Sequence, residues 1–170
     1  MVSVDVLYEP EPARPRIEFG YGESAQHPDL RRLLSYWKRK AGARAMPERG
    51  ELLPRDMKSY LRYLHMYDVI DGGADFRIRL FGTSLVLDFG FDPTGRLVSE
   101  FPDPDAGERL TTLLHRVTRS RAPVRFTAES ALPVRCAHSG VEALWLPLGS
   151  EERIGSILAI SRLGRLARAA

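Results

Sequence analysis

The stretch "FRIRLFGTSLVLDFG", Phe76 to Gly90, decides how the chain is read. Its first half alternates. Phe76, Ile78 and Leu80 fall on one side and Arg77 and Arg79 on the other, the period of a half-buried strand. Gly82 ends that pattern. Leu85, Val86 and Phe89 then share the face of a short helix that Gly90 closes. A strand that leaves through a glycine into two hydroxyls and a helix fits a catalytic turn, a phosphate cradle or a landmark of the fold. The first two need companions, and no G-x-S-x-G, P-loop or G-x-G-x-x-G motif accompanies this turn. The landmark reading is favoured.

Working outward, "LHMYDVID" (64–71) is apolar and runs into Gly72 and Gly73, so it pairs with 75–82 as an antiparallel hairpin. Downstream, Leu110, Leu113, Leu114 and Val117 repeat at helical spacing, and Pro123 stops that helix. Segments 124–132, 141–149 and 154–163 read as three further strands. The middle one is apolar on both faces, with Val141, Ala143 and Trp145 on one and Leu144, Leu146 and Leu148 on the other. Such a strand requires cover on both sides of its sheet.

Upstream, "HPDLRRLLSYWKRKAG" (27–42) sets Leu30, Leu33, Leu34 and Trp37 at i, i+3, i+4 and i+7. Pro28 suits the first turn and Gly42 the stop. This stripe must bury itself against the domain or against a second copy of the chain. Pro54 opens a short helix whose inner face is Met57, Leu61 and Leu64. Residues 1–26 are rich in Pro, Gly and Glu and read as an extended or mobile arm. The chain divides into an arm (1–26), a helical leader (27–62), a core (63–163) and a basic tail (164–170). The expected class is α+β: a five-stranded antiparallel sheet with helices on one face and the amphipathic N-terminal helix.

Composition agrees with a single soluble domain: 170 residues, 44% hydrophobic and 28% charged. No apolar run is long enough to span a membrane, no export signal is visible, and Cys136 is the only cysteine, which together suggest the cytoplasm. The net charge is +3, and cations gather at Arg31, Arg32, Lys38, Arg39 and Lys40, with Arg162, Arg165 and Arg168 near the end. That clustering motivates an alternative function, binding of a nucleotide or nucleic acid through the leader helix. The usual fate of such a cluster is a solvated helix face.

Catalytic and metal chemistry finds little support. His27, His65, His115 and His138 are scattered. His115 is conceivable as a haem ligand, but helical spacing turns it away from the Leu110–Val117 stripe. Cys136 and His138 lack the second pair that structural zinc requires, so no metal site is expected. Asp103, Asp105, Glu151 and Glu152 sit in turns. Nothing assembles a nucleophile with a base and an orienting group, so no enzymatic activity is expected. Arg77 and Arg79 grip an anionic ligand if their face meets a cavity; otherwise they pair with acids such as Glu142 or cover the leader helix.

The element order, with "LLSYWKRKAGARAMPERGELLP" leading, "YLHMYDVI" as first strand, "FRIRLFGTSLVLDFG" as second strand and helix, and "DPTGRLVSEF" as connector, resembles the PAS-like family of alphaproteobacteria, whose members stand alone or nearly so. The likeness covers about 28–163 and is strongest over 33–100. It implies that Gly82 ends the second strand and that Thr83 or Ser84 caps the following helix. It also implies a sensory or regulatory module that acts by binding a small ligand, by contacting another protein, or both. The cavity residues expected are Phe76, Ile78, Leu80, Phe89, Leu113, Val117, Leu144 and Trp145. A homodimer is expected through Leu30, Leu33, Leu34 and Trp37, together with an unidentified protein partner. No cofactor is required by the sequence, and its identity, if any, is unknown.

Overall fold

The computed structural model describes residues 16–129 and 140–164. Six strands form one antiparallel sheet in the order β1-β4-β5-β6-β2-β3. They are β1 (Arg16–Tyr21), β2 (Leu64–Ile70), β3 (Asp75–Phe81), β4 (Val124–Glu129), β5 (Gly140–Gly149) and β6 (Ile154–Gly164). The helices are α1 (Pro28–Ala41), α2 (Thr83–Phe89) and α3 (Pro104–Ser120). The class is α+β, with one strand more than the sequence suggested.

The extra strand corrects the reading of 1–26 as an arm. Arg16–Tyr21 pairs with β4 from Arg16↔Glu129 to Tyr21↔Val124. Ile17, Phe19 and Tyr21 do alternate with Arg16, Glu18 and Gly20, but six residues among prolines and glycines make a faint signal. Val2–Tyr8, Cys136, His138, Arg165 and Arg168 lie outside the described residues.

β5 lies mid-sheet and is buried along nearly its whole length. Its even-numbered residues face α1. Leu144 and Leu34 both approach Gly22, and the Trp37 indole Nε1 donates to the Pro147 carbonyl at 2.9 Å. Leu30, Leu33, Leu34 and Trp37 are all buried within the single chain, Leu30 and Leu33 completely. This corrects their assignment to a dimer contact, because the sheet already consumes the stripe. Burying side chains of this size stabilises the fold by about 1.5–3 kcal/mol each.

A polar clasp fixes where α1 begins. The Glu142 carboxylate, on the α1 face of β5, accepts from the backbone N–H of Gln26 at 2.7 Å and of His27 at 3.0 Å. It also accepts from Arg125 Nε of β4 at 2.7 Å. Burial pushes its pKa up, but the Gln26 N–H, Arg125 and the His27 N–H together outweigh that and hold it below the ordinary carboxylate value. His27 then caps α1, its Nδ1 accepting from Asp29 N at 3.1 Å, and Gly42 closes the helix at φ 60°. Arg162 of β6 adds a second tie, lying 3.5 Å from the Asp29 carboxylate and stacking at 3.6 Å on the Tyr63 ring.

The turn after β3 is a landmark, for a reason other than the one its sequence suggests. Gly82 sits at φ −62°, an ordinary backbone angle, and is the N-cap of α2 with no side-chain cap. A Cβ there would overlap the Arg62 carbonyl and come within 2.8 Å of Leu64 O, to which Gly82 N donates. Close packing against the chain entering β2 therefore demands glycine. Neither Thr83 nor Ser84 caps the helix; Ser84 Oγ accepts from Arg62 Nε at 2.7 Å. Among the segments before β2, Pro54–Met57 is a single 3-10 turn, with Met57 buried and Leu61 exposed.

Two substitutions test these constraints. Gly82→Ala should lower the free energy of unfolding by about 1–3 kcal/mol in urea, whereas Gly50→Ala, with no atom within 4 Å of the added methyl, should change it little. Glu142→Ala leaves Arg125 and two partly buried N–H groups without their acceptor, and should cost about 3 kcal/mol. Amide exchange at Gln26 and His27 should accelerate in the same variant.

Candidate functional site

On the face of the sheet opposite α1, β2 turns His65 and Tyr67 inward, β5 turns Val141 and Trp145, and β6 turns Ser161 and Leu163. α2 contributes Leu85 and Phe89, the connector Phe91 and Phe101, and α3 Ala106, Leu110 and Leu113. Phe81, Phe126, Ala128 and Ile17 complete a cavity of about 160 Å³, with Arg109 the only charged side chain on its wall among the described residues. Aromatic rings dominate it. Phe81 meets Phe89 and Phe91 meets Phe101 edge to face, both with centroids 5.7 Å apart.

One buried polar chain crosses the wall. His65 Nδ1 is 2.8 Å from Tyr67 Oη, and His65 Nε2 is 2.8 Å from Ser161 Oγ. Burial lowers the His65 pKa to about 3 and pushes Tyr67 up, so both are neutral near pH 7. A neutral imidazole supplies one N–H and one lone pair, so the two hydroxyls satisfy both ring nitrogens. Trp145 stacks on Tyr67 at 5.5 Å and 14° and meets His65 edge to face at 5.0 Å. Its indole Nε1 is buried and has no hydrogen-bond partner among the described residues.

Of the expected cavity residues, Phe89, Leu113 and Trp145 line this space and Phe76, Ile78, Leu80, Val117 and Leu144 do not. A β-bulge explains why Phe81 takes the place expected of Leu80. The β2–β3 register shifts between Met66 and Tyr67, so Ile78 pairs with Tyr67 whereas Phe81 pairs with His65. The inward series becomes Phe76, Ile78, Phe81, and Leu80 is carried over opposite Met66. Phe76 packs beneath α3, its ring 5.4 Å from His115, and Val117 is buried in the core. Leu144 belongs to the α1 face. His65, Phe81 and Ser161 were not anticipated, although His65 and Tyr67 stand two apart in a strand and so share a face.

The other singled-out residues have structural partners. Arg79 pairs with Asp68 at 2.7 Å, and Arg77 donates to Gly95 O at 3.2 Å; both point to solvent. His115 is half-buried, packs on the Phe76 ring and is bonded to Gly73 O at 2.8 Å, a structural role. On α1, Lys38 pairs with Glu23, Arg32 pairs with Asp29, and Arg39 and Lys40 lie over the Tyr36 ring.

The depressed His65 value carries a sign for stability. An unfolded chain protonates this imidazole below its ordinary pKa of 6.5, while the folded chain resists down to about 3. The unfolded state therefore binds more protons in that window, and the contribution of this group is full above 6.5 and lost as pH falls. Between pH 6.5 and 5, wild-type stability should fall by up to about 1.4 kcal/mol per pH unit from this group. Urea melts of His65→Phe should lack that component of the slope.

The match to a family model covers residues 25–161 and is described as a PAS domain. No curated protein and no solved structure matches the chain. Among the described residues, no helix is long and apolar enough to cross a membrane. A matched span that runs from the clasp before α1 to Ser161 takes in α1, β2 to β5, most of β6 and most of the cavity wall, leaving out β1, and on it the chain belongs to the PAS domain family.

Proposed function

We propose that this chain is a sensory or regulatory module without catalytic activity of its own, which holds a small apolar ligand between its sheet and α2–α3. The cavity carries this reading. It is ring-sized, comparable to the roughly 150 Å³ engineered void that binds benzene, and it is walled by Phe81, Phe89, Phe126 and Trp145. The Tyr67–His65–Ser161 chain looks superficially like a base beside a hydroxyl, but a histidine whose pKa is held near 3 by burial is a poor proton acceptor at neutral pH. No carboxylate is bonded to its ring to stabilise an imidazolium. Tyr67 occupies that place.

The output is a protein contact. The ligand side of β5 carries Trp145, and the next residues, Leu144 and Leu146, belong to the α1 side. A ligand that prefers one Trp145 position thus biases the packing of α1 through the strand they share. The outer face of α1, and a homodimer through surfaces other than its buried stripe, are where a partner would read that change.

Calorimetric titration with ethylbenzene tests the reading. At roughly 0.7 kcal/mol per heavy atom, binding on the order of 0.1 mM is expected. Ala106→Leu, which fills the cavity from α3, should weaken it at least about tenfold. Amide exchange across α1 should change on binding. An inert wild-type protein, or a filled variant that binds equally well, would remove the proposal.

A further inference from the structure

The cavity is aromatic in its depth and charged at its edge. Among the described residues one charged side chain lines it, Arg109 of α3. Arg109 shares a helical face with Ala106, Leu110 and Leu113, which line the same space at i−3, i+1 and i+4. Those three are half-buried and Arg109 is exposed, so the cavity reaches the surface along this helix and Arg109 stands at its opening. The guanidinium is also uncommitted. Asp105 precedes it by one turn, in the order that favours a pair along a helix, yet the Arg109 side chain has no ion pair or hydrogen bond among the described residues. Arg116, two turns further along α3, does find a partner and lies over the Phe19 ring at 4.0 Å.

We infer that the ligand of this cavity is an amphipathic anion, a ring-sized apolar body with one carboxylate on a short chain, held with its body among the aromatic walls and its carboxylate on the Arg109 guanidinium at the opening. This rests on the cavity being a ligand site and adds the charge of the head group and where it lies. Depth and edge ask for different chemistry. Phe81, Phe89, Phe126 and Trp145 offer burial to an apolar body. A carboxylate placed among them would be desolvated, whereas at an exposed arginine it keeps part of its water and meets two parallel N–H donors. Arginine sets its stem along apolar surface and keeps its head in water, so the body can be buried while the head group is met outside. One guanidinium balances one negative charge. A phosphate monoester carries roughly two and would exceed what Arg109 alone supplies.

Calorimetric titration of the full chain at low salt tests this with 3-phenylpropionate and 3-phenylpropylamine, which share a ring on a short chain and differ in the sign of their charge. Wild type should prefer the carboxylate. The ratio of the two affinities is compared between variants, so that the solvation of each probe cancels. Arg109→Glu should lower that ratio at least about tenfold. Arg119→Glu, the same charge change at an exposed α3 position off the cavity wall, should lower it less than about twofold. Ala106→Leu, which fills the cavity, should weaken both probes together. If Arg109→Glu does not fold, Arg109→Gln decides, with a fall of at least about threefold. An unchanged ratio in the Arg109 variants, or carboxylate binding that survives Ala106→Leu, would overturn the carboxylate assignment, and ethylbenzene binding to the same protein would leave the ligand cavity standing. Failure of ethylbenzene and both charged probes to bind would remove the assignment and the ligand reading together.

Discussion

A strand with no polar face governs this architecture. β5 is buried from Gly140 to Leu148, and both of its sides are apolar apart from Glu142. No position along it can be given to water, so the chain must supply a layer above the sheet and a layer below it. α1 provides one and α2–α3 the other. The single charge on the strand is turned to use. Glu142 meets Arg125 and the two N–H groups that precede α1, so the one residue that could have opposed burial instead fixes where the covering helix starts. A buried carboxylate is tolerable only with such partners, and its need for them places α1 more firmly than apolar contact alone would.

The two covering layers fit differently. Against α1 the side chains close completely, with Leu30 and Leu33 at zero exposure and Trp37 bonded to the strand edge. Against α2–α3 they leave about 160 Å³ unfilled. Flat rings meeting edge to face do not close a space as branched aliphatics do, and the facing positions include the small residues Ala106, Ala128 and Ser161. A dry void of that size forgoes on the order of 4 kcal/mol of packing. A fold that packs one side to completion can evidently pack the other, so the vacancy reflects its choice of residues rather than a limit of the chain.

How far the sequence discloses this depends on the kind of constraint. Periodicity made β2, β3, β5, β6, α1 and α3 legible, because burial imposes a repeat over many residues. Constraints that act at single points leave no repeat. The bulge at Met66–Tyr67 reverses the inward series after Ile78, so alternation extrapolated from Phe76 selects Leu80 where Phe81 is needed. Gly82 advertises a turn but not the Arg62 carbonyl that excludes its Cβ. β1 is short and lies among residues that usually mark loops. The cavity was hardest to foresee, since it is defined by what side chains from seven or more separate segments fail to fill.

The same strand that demands two layers also connects them. Trp145 on the cavity side is followed by Leu146 on the α1 side and by Pro147, whose carbonyl accepts from Trp37. A displacement of the Trp145 ring cannot be absorbed within a backbone hydrogen-bonded to β4 and β6 on both edges. It passes either to Tyr67 and His65 in the neighbouring cavity wall or, through the strand, to the Trp37 contact. The first path is stiffened by hydrogen bonds at both nitrogens of His65. The second ends on a helix held by the Trp37 indole bond, its apolar stripe, the Glu142 clasp at its start and the Tyr36 hydroxyl, which donates to Asp56 at 2.9 Å and accepts from Leu53 N at 3.0 Å. Both halves of α1 are anchored, its start by Glu142 and its later turns by Tyr36 and Trp37, and the Trp37 bond is the point at which β5 and the helix meet directly.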